Sequence, residues 1–370
     1  IAAILTQNKP FDQIKLTDMP QEGAETVKFE AVIGNPPYQK NIINTSDSSI
    51  YDKFLDIGYL LSPIGCFITP AKFLFNVGKT PEKWNERMLN DEHLQLIKLE
   101  MDSTKIFPDA KFEGGIAITY RDETRFFEKI QICTSYPELT SLSKRIVNHP
   151  DFLPLSDVIF LQSKFNLKKL YDEKPSLKKI VGSHGKERRL TTSIFDTIPS
   201  IFHNEKEFSD DIKILGLGEN GRIYKYIYKK YLEVSTRINQ YKVVLPKSNG
   251  SGAIGKTIPT QLIGTPLILN PYESFTQSFI GIFSSDNYFE VNAAFKYVKT
   301  CFARALLGIL KVTQDNNVDT WAYVPLQDFT EHSDIDWSKS IAEIDQQLYR
   351  KYNLSDDEIA FIEKMIKPME

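Results

Sequence analysis

Phe29-Glu30-Ala31-Val32-Ile33-Gly34-Asn35-Pro36-Pro37-Tyr38 is the stretch on which the fold turns. Its apolar run, Ala31-Val32-Ile33, predicts a buried strand that Gly34 ends. Each of the two prolines fixes its own φ, removes an N–H and turns the residue before it away from helix, so Asn35 to Tyr38 leave the strand as a stiff extended turn. The turn offers a side-chain amide (Asn35), a backbone carbonyl (Pro36) and an aromatic ring (Tyr38) at the carboxyl end of a strand. In open α/β sheets that end is where ligands bind.

The stretch resembles motif IV of the amino-methylating DNA methyltransferases, and its Asn-Pro-Pro-Tyr form is that of the N6-adenine class. The adenine amino group is a poor nucleophile because its lone pair is delocalised into the ring. The resemblance implies that the Asn35 side-chain oxygen and the Pro36 carbonyl accept the two amino hydrogens. Pro37 completes the turn, and Tyr38 stacks on a target base flipped out of the duplex. It implies S-adenosylmethionine as cofactor, near Asn35 and Pro37. Asp18 lies where the family often carries an acidic residue beside the cofactor's adenosine, a loop aspartate being the alternative. The family also holds the methionine end of the cofactor in an upstream Gly-rich turn. Residues 1–28 contain none, so the cofactor pocket is expected to be incomplete in this chain. Ile1 in place of Met, so close to a catalytic motif, predicts a fragment whose partner is the upstream part of the same polypeptide.

At 370 residues, 41% of them hydrophobic, the chain exceeds one typical domain and can fill two cores. No run is long enough to span a membrane and no signal-peptide pattern is present. Cys66, Cys133 and Cys301 stand far apart beside apolar residues, which suits reduced thiols and a cytoplasmic protein. No Cys/His cluster has metal-ligand spacing. The net charge of -3 gives no global basic signature, so DNA binding requires a local basic face.

The predicted fold is α/β, a partial doubly wound (Rossmann-like) methyltransferase sheet followed by an α+β target-recognition domain. Residues 1–125 form the first part, 126–150 a connector with a helix over 139–147, 151–330 the DNA-binding domain, and 331–370 C-terminal helices. In the first part, a polar loop over 41–49 precedes a helix over 49–61. Strands follow at 65–70, 94–99 and 115–120, with a helix around Trp84. Ala71–Phe75 resembles the family's next strand and its exit. Phe107 and Phe112, in Ile106–Gly115, resemble the family's loop near the flipped base. They qualify as base contacts or as core anchors.

Beyond residue 151, Lys186, Arg188 and Arg189 form a basic loop. Tyr224–Tyr231 interleaves tyrosines with Lys225, Lys229 and Lys230. That pattern suits a groove of stacking and phosphate contacts, or equally one amphipathic element with its tyrosines inward. Gly250-Ser251-Gly252-Ala253-Ile254-Gly255-Lys256-Thr257 matches the P-loop pattern. The P-loop needs a helix directly after it, because the helix N-terminus helps bind phosphate, and Ile258-Pro259 forbids one. Lys247, Ser248, Asn249 and Lys256 suit close approach to DNA better, glycine permitting the approach. A strand over 278–283, a long helix over 290–311, a strand over 321–326, a helix over 341–352 and a last helix capped by Ser355 and Glu358 complete the chain.

This C-terminal order resembles the target-recognition half of fused type II (IIG-like) restriction–modification enzymes. The resemblance implies site-specific N6-adenine methylation of double-stranded DNA, without a metal, by the C-terminal portion of such an enzyme. No strand-borne Asp followed by Glu-x-Lys suggests a nuclease here. The alternatives are a non-catalytic DNA-specificity module, or a methyltransferase acting on protein or RNA, since Asn-Pro-Pro-Tyr also occurs in enzymes that methylate glutamine side chains.

Overall fold

The computed structural model describes residues 29–40, 48–75, 78–109, 112, 114–130, 134, 136–181, 187–233, 235–250, 252–255 and 257–370. The chain divides into two compact units. One comprises Ile1–Pro70, Gly78–Leu99 and Ile116–Gln131, the other Ala71–Val77, Glu100–Gly115 and Ile132–Glu370.

The first unit opens with β1 (Val32–Gly34), the short hairpin β2 (Gln39–Lys40) and β3 (Ser48–Ser49), and helix α1 (Tyr51–Leu61). Then come β4 (Ile64–Pro70), α2 (Glu82–Asn90), β5 (Leu94–Glu100) and β6 (Ile116–Asp122). The four longer-range strands form one sheet in the order β1-β4-β6-β5. β1 and β4 run parallel, Ile33 opposite Cys66, whereas β4 and β6 run antiparallel, Cys66 opposite Tyr120. The sheet is therefore mixed, and α1 is the crossover that a parallel pair demands. Gly58 lets α1 lie against β4, since a Cβ there would stand 2.4 Å from the Phe67 ring. Trp84 pins α2 to α1, its Nε1 donating to Asp56 at 2.9 Å and its ring meeting Tyr51 edge-on.

Two expectations fail at this end of the chain. β1 is half buried rather than buried: Val32 is 5% exposed, but Ile33 is 75% exposed and Ala31 is exposed too. Among the described residues β1 pairs with β4 alone. Ala71–Phe75 is a 3-10 turn of the second unit, not a strand. Its three consecutive residues Phe73, Leu74 and Phe75 are all buried, which the two-residue period of a strand does not allow on a one-sided sheet.

In the second unit α3 (Pro137–Val147) and α4 (Leu167–Glu173) precede the short helix α5 (Ile194–Thr197) and strands β7 (Phe202–His203), β8 (Ile212–Gly218) and β9 (Gly221–Ile227). Next are β10 (Tyr241–Pro246), β11 (Leu267–Leu269), β12 (Glu273–Phe275) and β13 (Phe279–Ser285). Helices α6 (Tyr288–Lys299), α7 (Cys301–Leu310), α8 (Ile341–Lys351) and α9 (Asp356–Met365) follow. One sheet is ordered β11-β10-β13 and another β12-β8-β9-β7.

The main core gathers Leu142 of α3, Val243 of β10, Ile282 of β13, Phe302 of α7, Leu348 of α8 and Ile362 of α9. Residues placed above in a connector and in C-terminal helices thus share one core, and Arg145 of α3 pairs with Glu358 of α9 at 2.7 Å. Both α8 and α9 begin with capping boxes, Ser340 with Glu343 and Ser355 with Glu358.

The long helix expected over 290–311 is two helices. Thr300 is extended at the break, and its hydroxyl accepts from Ala303 N–H at 3.1 Å, capping α7. Asp345 accepts from Cys301 and Phe302 N–H, each at 2.9 Å, so the new N-terminus is fully occupied. The strand expected over 321–326 is also replaced: Val318–Trp321 is a 3-10 turn, with Trp321 fully buried.

The segment Tyr224–Tyr231 satisfies neither prediction as a whole. It is a strand as far as Ile227 and a 3-10 turn over Lys229–Tyr231. Ile227 packs into the core around α4. Tyr224 and Tyr226 alternate to the other face of β9, opposite Leu215 and Lys213. Tyr231 is buried, its hydroxyl donating to Glu173 at 2.9 Å.

Candidate active site at the Asn35–Tyr38 turn

β1 delivers the turn to the carboxyl end of a parallel pair, Gly34 lying opposite Phe67 of β4. Asn35 is exposed, Pro36 buried, Pro37 exposed and Tyr38 half buried. The buried Pro36 anchors the turn while its neighbours face outward. The Asn35 amide has no hydrogen-bond partner among the described residues. Beyond Tyr38 the chain is tied down at once: Ile50 N–H donates to the Tyr38 carbonyl at 3.4 Å, and Gln39 and Lys40 pair with Ser49 and Ser48. Burial pushes the Tyr38 phenol up to about 12, so it remains neutral across the physiological range.

This arrangement keeps an amide acceptor open at a strand end and holds an aromatic ring three residues away, with a buried proline between them. A planar group bearing N–H donors is what such a set is equipped to receive. Asp18 lies outside the described residues, as do Lys186 and Lys256. Phe107 and Phe112 belong to the second unit, where their rings meet edge-on at 6.2 Å and both are half buried. Phe112 N–H donates to Ser103 Oγ at 2.8 Å, fixing that loop.

The candidate DNA contacts lie on separate elements of the second unit. Arg188 and Arg189 are exposed, and Arg188 pairs with Glu233 at 3.5 Å. Lys225 donates to Asn204 at 2.5 Å, and Lys229 lies 5.4 Å over the Tyr272 ring. Lys247 and Asn249 are half buried and Ser248 exposed, at the end of β10. Ser248 forms a β-bridge with Asp315, and Asn316 N–H donates to the Lys247 carbonyl at 2.6 Å. In the Gly-rich loop that follows, Gly250 and Gly255 have φ of 71° and 88°. Among the described residues no helix follows Thr257 before α6. A phosphate cradle of the P-loop kind therefore lacks its helix N-terminus.

Motif patterns do not single out Phe208, Asp211 and Tyr228, which line an open cavity in the second unit. The signal they leave in sequence is slight: a histidine and an aspartate eight positions apart, around a polar turn. Cys66 and Cys301 carry free thiols, and burial pushes the Cys301 thiol up to about 12. Among the described residues no group of three or more His, Cys, Asp or Glu is placed to hold a metal ion, and no helix is long and apolar enough to cross a membrane.

No curated protein matches the chain. The family model described as Eco57I restriction-modification methylase matches residues 2–107, so the segment that carries Asn35 to Tyr38 is similar to restriction-modification methylases.

Proposed function

We propose that this chain takes part in site-specific methylation of adenine N6 in double-stranded DNA, with S-adenosylmethionine as donor, as part of a restriction–modification enzyme. The observation that carries the proposal is the Asn35 amide, exposed at the carboxyl end of β1 in a segment similar to restriction-modification methylases. Bound S-adenosylmethionine supplies an electrophilic methyl group. Asn35 Oδ1 and the Pro36 carbonyl accept the two hydrogens of the target amino group and aim its lone pair out of the ring plane. Tyr38 stacks on the flipped base, its raised phenol pKa keeping that contact uncharged. Of the residues expected near the donor, Asn35 and Pro37 are exposed at the turn and fit that place.

The partial doubly wound arrangement belongs to the same proposal. β1, α1 and β4 form one parallel crossover unit, and the candidate residues lie at its carboxyl end. Residues 151–330 then serve as the target-recognition part, with Arg188, Arg189, Lys225, Lys229, Lys247, Ser248, Asn249 and Lys256 as its contacts to phosphate and base edges.

The test is modification-aware sequencing of plasmid from cells expressing the protein, wild type beside Asn35→Ala. N6-methyladenine at one defined motif, absent in the variant, is the expected result. Unmodified adenine in both sets this reading aside in favour of a DNA-specificity module or of protein or RNA substrates.

A further inference from the structure

The stretch from Lys164 to Arg189 holds nine Lys and Arg against three Asp and Glu, in a chain whose net charge is -3. It is built on one core. Phe165, Leu170, Leu177 and Leu190 are buried together beneath α4 and the 3-10 turn Pro175–Lys179. Asn166 caps α4 by accepting from Lys169 N–H at 3.2 Å, and Phe165 N–H donates to the Arg188 carbonyl at 2.7 Å. The apolar side chains thus go inward and the cations stay outside: Lys164, Lys168, Lys174, Lys178, Lys179 and Arg189 are all exposed. None of the six is ion-paired among the described residues. Neighbouring acids are taken by other cations, Glu173 by Lys169 and Lys230 at 3.1 and 2.7 Å and Glu233 by Arg188 at 3.5 Å. Asp172 is exposed as well, so the face is cationic in sum rather than throughout.

Two of these cations are set against each other. Lys164 and Arg189 face one another in an antiparallel β-bridge. Residues directly opposite in such a pair project to the same side, and like charges there repel. Lys178 and Lys179 likewise stand together at the end of the 3-10 turn. Repulsion of this kind is relieved by an anion that meets several cations at once. A lone phosphate meets one or two, whereas a DNA duplex carries one negative charge about every 1.7 Å of its axis. A lipid surface would call for an apolar face beside the charge. α4 offers none, since Leu170 is buried and Leu167 packs against the same core. Ile180 is the one large apolar side chain of the stretch that is exposed among the described residues.

We infer that this face seats the phosphate backbone of duplex DNA, with Lys164, Lys168, Lys174, Lys178 and Lys179 joining Arg189 as contacts. The inference rests on the DNA reading proposed above and adds to it five residues and a division of labour. Lysine ammonium groups act as point charges toward phosphate, and such contacts position a duplex without reading its sequence. This face therefore supplies affinity and salt dependence, and base recognition belongs to other residues. The whole stretch lies in the second unit, apart from the Asn35 turn in the first.

The test uses the full chain and labelled duplexes of unrelated sequence, with anisotropy followed over a series of salt concentrations. Lys168→Gln, Lys178→Gln and Lys179→Gln together are expected to lower the salt slope by about two to three and to weaken binding at least about tenfold at physiological salt, alike for every sequence. Lys339→Gln, Lys364→Gln and Lys367→Gln remove the same charge from exposed positions around α8 and α9 and should leave the slope nearly unchanged. Arg189→Gln should lower the slope by about one without lowering the midpoint of urea unfolding, because it relieves the repulsion at Lys164. The inference is overturned if both triple variants lose affinity alike, or if Arg189→Gln lowers midpoint and affinity together. It is overturned too if phosphatidylserine vesicles bind as tightly as the duplex, or if the wild type binds no duplex. A chain that binds duplex with this dependence yet leaves adenine unmodified sets aside the reaction proposed for Asn35 and not this face. N6-methyladenine together with unchanged duplex affinity in the first triple variant sets aside this face and not the reaction.

Discussion

Two loops of this molecule leave a strand with a recognisable pattern of letters, and they differ in what the fold does next. The Asn35–Tyr38 turn follows β1, a three-residue strand that pairs on one side only among the described residues and whose Ile33 is 75% exposed. The loop over 247–257 follows β10, which pairs on both sides and is buried over four consecutive residues. The first turn leaves its amide open and is tied down immediately afterwards by the β2–β3 hairpin. The second buries Ile254 in the main core and continues into Ile258 and Pro259, where a P-loop requires a helix. A motif is a claim about geometry. The four-residue pattern stands at the carboxyl end of a parallel strand, and the eight-residue one is followed by no helix among the described residues before α6.

The largest expected effect breaks the comparison at its functional end. Asn35→Ala removes one of the two proposed amine acceptors and should abolish detectable methyl transfer, a loss of at least about a hundredfold by analogy with deletion of a single oxyanion donor. DNA affinity, read in a filter-binding assay, should stay within a few fold, because Asn35 is exposed and bonded to no described residue. Equal loss of activity and binding would instead make the residue structural.

The strands themselves can be separated next. Lys242 of β10 is 2% exposed, and its ammonium donates to the Gln240 carbonyl at 2.5 Å. Burial lowers its pKa to about 8, with Glu273 partly opposing the shift. Its ordinary value is 10.5, so between these two values the unfolded chain holds a proton that the folded one has released. Stability therefore rises with pH across that window, and this contribution is lost as pH falls through 8. Lys311, similarly lowered by burial, adds to the same slope. Lys242→Met should remove one group's share of this upward slope, against which the raised Cys301 thiol acts in the opposite direction, and stabilise the fold at pH 7 by about 1–3 kcal/mol, since an apolar side chain avoids burying an ammonium with one partner. Urea unfolding at pH 7, 8.5 and 10 measures both, and an unchanged slope would mean that the ammonium keeps its hydration. Among the described residues no buried ammonium lies in β1, whose buried side chain is Val32.

What sequence patterns could and could not foretell follows from the same contrast. Period-two and helical spacing located β4, α1 and α2 to within a few residues, because each has one buried face, whereas β5 and β6 were visible as apolar runs without such alternation. The Ser355–Glu358 capping box was equally visible, since its signal is local. Thr300 was not: α6 and α7 are apolar across their junction, and only the extended backbone at one threonine, with Asp345 brought in from 44 residues away, shows the break. Ile33 misled because burial depends on what packs on each face of a strand, which apolarity alone does not reveal. Asp211 was invisible for a related reason. What marks it is one oxygen without a partner among the described residues, a fact of three-dimensional accounting.

Tyr38 gives the next smaller effect. It is half buried and held in place by the Ile50 contact, so removing its ring leaves the turn's backbone anchored. If it stacks on an extruded base, Tyr38→Ala should weaken a complex with DNA containing an unpaired adenine by about 1–3 kcal/mol and leave binding to fully paired DNA nearly unchanged. Tyr38→Phe should restore most of that loss, because stacking needs the ring and not the hydroxyl. Identical affinities for all three proteins would remove Tyr38 from the site.

The smallest effect decides the second loop. Lys256 stands where the P-loop pattern has its lysine, and the proposed function gives it a phosphate contact along a DNA backbone instead. One such contact releases about one counterion, so Lys256→Ala should flatten the salt slope of DNA binding by about one. The affinity loss at moderate salt should be only a few fold, uniform across DNA sequences. ATP is the informative control. A P-loop lysine reaches the β- and γ-phosphates, and replacing it would remove nucleotide triphosphate binding while leaving DNA affinity alone. The reverse outcome is expected because the described chain after Thr257 supplies no helix N-terminus before α6. A lysine that serves as a point charge toward whatever backbone approaches it is reported by the salt slope.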